Sequence, residues 1–294
     1  MKKIITSIVS LLFMINMIAQ NKTFDPKPKG MEFVPAGSFK MKMTWAPEPK
    51  MVNVSVDAFW MSNEITNGEY REFVDWAKSN PDKKLYQTKY SQETVSDPKN
   101  GTMKDTVIVK IIPIDVSALI TDMIDPSAME KVNKNYKNYF TDIKYNDYPV
   151  VGVSFKLAEY YCIWKTTLEN QQLKEKGLPN IQFYRIPLES EWEYVAQQSS
   201  NLKSPIKDNK LIQKVKEGNP NSLNLFHFDD NVSEWVVTSP KEKDYFVRGG
   251  SWKTDSDISL RTVTDPNCKE GNIGFRIVRS YLTKKPYDKL NTSK

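Results

Sequence analysis

Residues 149–164 read P-V-V-G-V-S-F-K-L-A-E-Y-Y-C-I-W and contain the clearest strand-to-helix transition in the chain. The apolar run at the start of this stretch is typical of a buried strand. After it, Ala158, Tyr161 and Cys162 recur at helical spacing, and stop signals begin at Gly177. The pattern predicts a buried strand followed by a helix over residues 155–173.

Two further helices have start signals of their own. Thr66 can cap a helix, and Glu69 three residues later completes a capping box. Pro187 opens the other helix, because its fixed backbone angle suits a first turn. Near the start of that helix, Glu191 and Glu193 suit the helix dipole or an arginine partner.

The strands are shorter and are separated by turn residues. Residues 31–39 predict a strand pair with a turn at 35–37, and alternating valines over 52–56 predict a half-buried strand. Residues 82–145 differ in composition from what flanks them. They predict an insertion with one strand at 107–114 and one short helix near 115–123.

The N-terminus is typical of an exported protein. Lys2 and Lys3 precede an apolar run over residues 4–18, so residues 1–20 predict a signal peptide, with an uncleaved membrane anchor as the alternative. We expect a flexible leader over 21–30, a domain over 31–280, a basic tail over 281–294 and no transmembrane span after signal removal. No cysteine follows the apolar run, so no lipoprotein anchor is expected.

The composition limits the classes of function that the chain can have. The net charge is +6, and removal of the first twenty residues with their two lysines leaves +4. Basic and acidic residues are interspersed, so no nucleic-acid partner is expected. Cys162 and Cys268 are the only cysteines; export would permit a disulfide, and two independent thiols fit the sequence equally well.

Seven short motifs occur in a fixed order along the chain. They are F-V-P-A-G-S-F (33–39), F-W-M-S-N-E-I-T-N-G-E-Y (59–70), the 149–164 stretch, Y-R-I-P-L-E-S-E-W-E-Y-V-A (184–196), N-V-S-E-W (231–235), R-G-G-S-W (248–252) and G-F-R (274–276). In this order they resemble the formylglycine-generating enzyme, or sulfatase-modifying-factor, family. The resemblance implies a single α+β domain, related to C-type lectin folds, with little regular secondary structure.

The resemblance also shows that this chain lacks the two copper-binding cysteines of active family members. Active family members carry a cysteine pair three and eight residues after the serine of G-G-S-[WY], and its thiolates bind copper(I). Thr254 and Ser259 stand at those positions, and hydroxyls are poor ligands for copper(I). No copper is therefore expected, unless a rearranged loop brings Cys268 to the site. His227 is the only histidine, which excludes a two-histidine iron site.

One metal site is predicted from the resemblance. In the family, the segment around N-V-W-E-W can hold calcium through backbone carbonyls and the glutamate. The corresponding residues are Asp229, Asp230, Asn231, Val232 and Glu234. Oxygen ligands in a tight loop suit calcium, and the alternative is an exposed acidic turn without an ion.

A narrower resemblance suggests a role. Residues 139–140 (Y-F), 145–153 (Y-N-D-Y-P-V-V-G-V) and 84–86 (K-L-Y) are similar to motifs of gliding-motility and type IX secretion envelope proteins, which carry this domain without the cysteines. We therefore expect a non-catalytic pseudoenzyme: a periplasmic or outer-membrane-associated scaffold that binds envelope proteins. The alternatives are a formylglycine-generating oxidase, or related protein-modifying enzyme, and a lectin-like ligand binder.

Overall fold

The computed structural model describes residues 25–43, 50–96, 103–198, 211–238, 244–254, 258 and 261–282. The predicted signal peptide lies outside these residues, as do Ser259 and nearly all of the predicted basic tail. Within the described ranges, no helix is long and apolar enough to cross a membrane.

The chain forms short strands and four α-helices in the part that the structure describes. In chain order these are β1 (Met31–Val34), β2 (Gly37–Met43), β3 (Lys50–Val56), β4 (Phe59–Glu64), α1 (Asn67–Ser79), β5 (Lys84–Ser96), β6 (Met103–Asp115), α2 (Ala128–Val132), α3 (Phe155–Glu175), β7 (Tyr184–Arg185), α4 (Glu189–Ala196), β8 (Ser233–Val236), β9 (Tyr245–Arg248), β10 (Arg261–Thr264), β11 (Ile273–Gly274) and β12 (Arg276–Ser280). Short 3-10 turns lie at Val116–Ala118, Ile120–Asp122 and Ile143–Tyr145.

Two four-stranded sheets organise the body. One has the antiparallel order β1-β4-β12-β7, and the other has the order β10-β9-β8-β11, in which only the β8–β11 pair is parallel. Strands β4 and β12 are central in the first sheet, and β8 and β9 are central in the second. Glu64, Glu234, Arg248 and Arg276, which are described below, lie on these four strands.

Helices α1 and α3 pack their aromatic faces together. Tyr70 of α1 stacks on Tyr161 of α3 with ring centroids 5.7 Å apart, and Phe73 lies 5.3 Å from Trp164. The capping box of Thr66 and Glu69 is confirmed, and so is the long helix after residue 154. Local side-chain signals therefore set both helices as predicted.

Other elements differ from the predictions. The two strands of residues 31–39 do not pair with each other, because β1 pairs with β4 and β2 pairs with β3. The insertion contains a hairpin of two 13-residue strands, β5 and β6, rather than one strand. Asp25, within the predicted flexible leader, is buried and accepts hydrogen bonds from Arg279 (2.6 Å) and the indole of Trp60 (3.1 Å). This ion pair fixes the described part of the leader to the first sheet.

Candidate functional site

The R-G-G-S-W motif forms the end of β9 and the tight turn after it. Gly249 has a φ of +84°, and a Cβ atom there would lie 2.6 Å from the carbonyl oxygen of Phe228. Both the left-handed conformation and the close approach require glycine. The strand thus ends against the loop that precedes β8.

Thr254 is held in a turn with Ser251. Each backbone amide of the pair donates to the carbonyl of the other, at 3.0 and 3.1 Å, and their hydroxyl oxygens lie 2.8 Å apart. Ser251 is fully buried. Thr254, at the first of the two positions where active relatives carry a copper-binding cysteine, therefore presents a hydroxyl in a hydrogen-bonded turn. Ser259, at the second position, lies outside the described residues.

Both cysteines are free thiols. Cys162 is buried in α3, where burial raises the pKa of the thiol well above its usual value. Cys268 is half-buried against the main core, and burial together with the charge of Glu270 raises its pKa as well. Neither thiol is poised to form the thiolate that metal binding or nucleophilic chemistry needs.

The side chains of the predicted calcium segment are bonded to other protein groups. Glu234 is fully buried and accepts two hydrogen bonds from Arg276, both 2.6 Å long, and one of 2.7 Å from the indole of Trp192. Asp230 lies 2.8 Å from Nδ1 of His227, and Val232 packs in a small apolar cluster. Calcium at Asp229–Glu234 stays a prediction; among the described residues no group of three or more acidic, histidine or cysteine side chains could hold a metal ion.

Asn231 joins this segment to Glu64 at the end of β4. It has a φ of 62°, and its side-chain amide nitrogen lies 3.0 and 3.1 Å from the two carboxylate oxygens of Glu64. Burial raises the pKa of Glu64 to about 8, although the charges of His227 and Arg276 oppose the shift. Burial lowers the pKa of His227, but the charge of Glu64 and the contact with Asp230 outweigh it and raise the value to about 9.

A cleft of about 690 Å³ lies beside this cluster. Its walls come from the end of β4, from the residues after it and from the loop that precedes β8. The lining residues are Gly30, Ser62, Asn63, Glu64, Thr66, Glu69, Asp147, Lys214, Val215, Lys216 and Glu217. The volume suits a small ligand or an inserted side chain, and the polar lining suits a charged one.

The comparisons with known proteins agree with this architecture. A sequence model described as the sulfatase-modifying factor enzyme 1-like domain matches residues 18–281. The chain belongs to this sulfatase-modifying-factor family. Its fold is the α+β, formylglycine-generating-enzyme-like fold that the motif series predicted. Among curated proteins, no sequence matches the chain.

Solved structures resemble this sulfatase-modifying-factor-like chain at low identity. PvdO from Pseudomonas aeruginosa is 17% identical with a TM-score of 0.53, over 88% of this chain and 97% of that one. CarF is 17% identical with a TM-score of 0.48, over 87% and 99%. Treponema denticola variable protein 1 is 14% identical with a TM-score of 0.49, over 85% and 94%. At these identities the likeness to PvdO shows the fold alone.

Within this family fold, sequence reasoning identified some site residues and missed others. Glu191 and Glu193 were expected to suit the helix dipole or an arginine partner, and the structure shows arginine partners for both: Arg185 for Glu191 and Arg248 for Glu193. Glu64 belongs to the 59–70 motif, which gives it no separate role. Its hydrogen bond to Asn231 joins positions 167 residues apart, so no local sequence pattern indicates it.

Proposed function

We propose that this protein is a non-catalytic, exported scaffold or partner-binding protein of the cell envelope, associated with gliding-motility and type IX secretion machinery. The observation that carries the proposal is Thr254. Thr254 stands where active relatives carry a copper-binding cysteine. Its neutral hydroxyl is hydrogen-bonded to the hydroxyl of Ser251. A hydroxyl cannot replace a thiolate as a ligand for copper(I).

The β5–β6 hairpin supports a partner-binding role. The described strands pair β5 and β6 only with each other, and the exposed fractions are 55% for Tyr86, 54% for Val109 and 65% for Ile111. In the antiparallel register Tyr86 lies opposite Pro113 and Thr88 opposite Ile111, so these side chains share one face. An isolated two-stranded ribbon is marginally stable in water, and a partner that covered this face would stabilise it.

The proposal is tested by co-purification from the native envelope. We expect the tagged full-length protein to retain envelope proteins of the motility and secretion machinery. Ile111→Lys should weaken this retention, because it places a charge on the apolar face of the hairpin. Ile143→Lys is the matched control, since Ile143 is also an exposed isoleucine (78%) but lies outside the hairpin. Recovery of the wild-type chain alone would contradict the proposal.

The non-catalytic part has a separate test. We expect purified protein to hold no stoichiometric copper(I) and to leave a cysteine-containing peptide unmodified in air. Formation of formylglycine in that peptide would establish the oxidase alternative. A glycan array with specific hits would favour the lectin-like alternative.

A further inference from the structure

Buried acids in this fold almost all have an arginine partner. Six acidic side chains are less than 9% exposed in the described ranges: Asp25, Glu64, Glu189, Glu191, Glu193 and Glu234. Five of them form ion pairs with arginines: Arg279 with Asp25, Arg248 with Glu189 and Glu193, Arg185 with Glu191, and Arg276 with Glu234. Glu64, only 2% exposed, is the exception. A buried carboxylate without a cation is destabilising, so its retention needs an explanation.

The cationic groups around Glu64 are committed elsewhere. The two ring nitrogens of His227 contact Asp230 (2.8 Å) and the carbonyl oxygen of Lys214 (3.2 Å). Arg276 donates to both oxygens of Glu234. The charges of both residues act on Glu64 from a distance, together with that of Glu234. The only direct hydrogen-bond donor to the Glu64 carboxylate in the described part of the chain is the amide of Asn231, which leaves its oxygens free to accept more bonds.

Glu64 also lines the 690 Å³ cleft. Four acidic residues and two lysines line this cleft, which gives it an acidic balance; the acids are Glu64, Glu69, Asp147 and Glu217. In the part of the chain that the structure describes, no group of three or more acidic, histidine or cysteine side chains could hold a metal ion, whereas a single carboxylate can pair with an ammonium or guanidinium group. The ligand count and the charge therefore favour an organic cation over a metal.

We propose that this cleft binds the ammonium or guanidinium group of a lysine or arginine side chain presented by a partner protein, with Glu64 as the counter-ion. The proposal rests on the partner-binding function above and names the chemistry of one contact. The inserted cation would supply the charge-assisted hydrogen bonds that every other buried acid receives from an arginine. Lys214 and Lys216 at the rim, both exposed, would disfavour ligands with a second positive charge nearby.

The test uses the full-length protein and a small probe. Titration with Nα-acetyl-lysine amide, followed by nuclear magnetic resonance shifts, should show saturable binding with a dissociation constant below about 10 mM. The norleucine analogue, which lacks the ammonium group, should bind at least tenfold more weakly. Glu64→Gln should also weaken lysine binding at least tenfold. Glu175→Gln, an isosteric change at an exposed residue of α3 outside the cleft, should change binding less than threefold.

Each result has a defined meaning. Equal binding of the lysine and norleucine probes, unchanged binding by Glu64→Gln, or no saturable binding up to about 50 mM would each overturn the proposal. Competitive displacement of the lysine probe by calcium chloride would reassign the site to a metal ion. Circular dichroism should show that Glu64→Gln is folded and melts no lower than wild type. If envelope partners still co-purify when the lysine probe fails to bind, the scaffold function stands and only the cleft assignment is wrong.

Discussion

Replacement of Arg276 by methionine should strongly destabilise the protein. Arg276 is fully buried, donates two 2.6 Å hydrogen bonds to Glu234 and lies 3.9 Å from the ring centroid of Phe228. Methionine keeps much of the apolar stem, so the main loss is electrostatic. Glu234 would retain only the Trp192 indole as a donor among the contacts described. Leaving one buried charge without its partner costs about 3–5 kcal/mol. For a domain of this size that lowers the melting temperature by roughly 6–20 °C.

The assay is urea unfolding followed by tryptophan fluorescence, with and without calcium. The double variant Arg276→Met with Glu234→Met removes both charges, so it should be more stable than Arg276→Met alone. If Arg276→Met lowers the free energy of unfolding by less than about 1 kcal/mol, this account of the Arg276–Glu234 ion pair is refuted. Recovery of the single variant on addition of calcium would show that a freed Glu234 binds the ion, in support of the predicted calcium segment.

Three other expectations follow from the contacts and charges of the site. The free energy of unfolding, measured in EDTA, should fall between pH 6 and pH 9. Folding raises the pKa of His227 to about 9 and that of Glu64 to about 8, so the folded state binds more protons than the unfolded state. This stabilisation of the folded state is lost as the pH rises through these values. A urea midpoint that rises over this window would contradict the assignment. Gly249→Ala should destabilise by about 1–3 kcal/mol, measured by thermal melting, because alanine disfavours the positive φ and its Cβ would meet a carbonyl oxygen. Thiol titration should find two free thiols in denaturant. In the native protein the thiol of Cys268 should react slowly and that of Cys162 should stay protected. A disulfide between the two cysteines would contradict this prediction.

The sequence predicted the elements whose signals are local. The capping box of Thr66 and Glu69 requires only residues three apart, and the helix that begins at Phe155 has periodic apolar residues and clear end signals. The order of the seven motifs indicated the family and the fold. The absence of the cysteine at Thr254 was also readable directly, because the G-G-S-W motif fixes its position.

Long-range pairing was not predictable in the same way. β1 and β2 are adjacent in sequence, yet each pairs with a different strand, and periodicity does not choose between partners. The first strand of the insertion hairpin, β5, alternates polar residues with few apolar ones, so it gave no strand signal. The calcium prediction at Glu234 rests on its motif, and nothing in that motif indicates the arginine partner, which comes from β12, forty-two residues later.

The ion pairs of the core connect the two sheets to buried acids. Arg276 and Arg248 connect the central strands of both sheets to buried acids, and the Ser251–Thr254 turn is held by its own hydrogen bonds. Each of these contacts is made between protein groups. Glu64 is different, because no cation is bonded to its carboxylate among the described residues and burial raises its pKa to about 8. If it served only the fold, glutamine would serve at least as well. Glu64→Gln should therefore keep or raise stability while it removes cation binding, which separates a binding residue from a structural one.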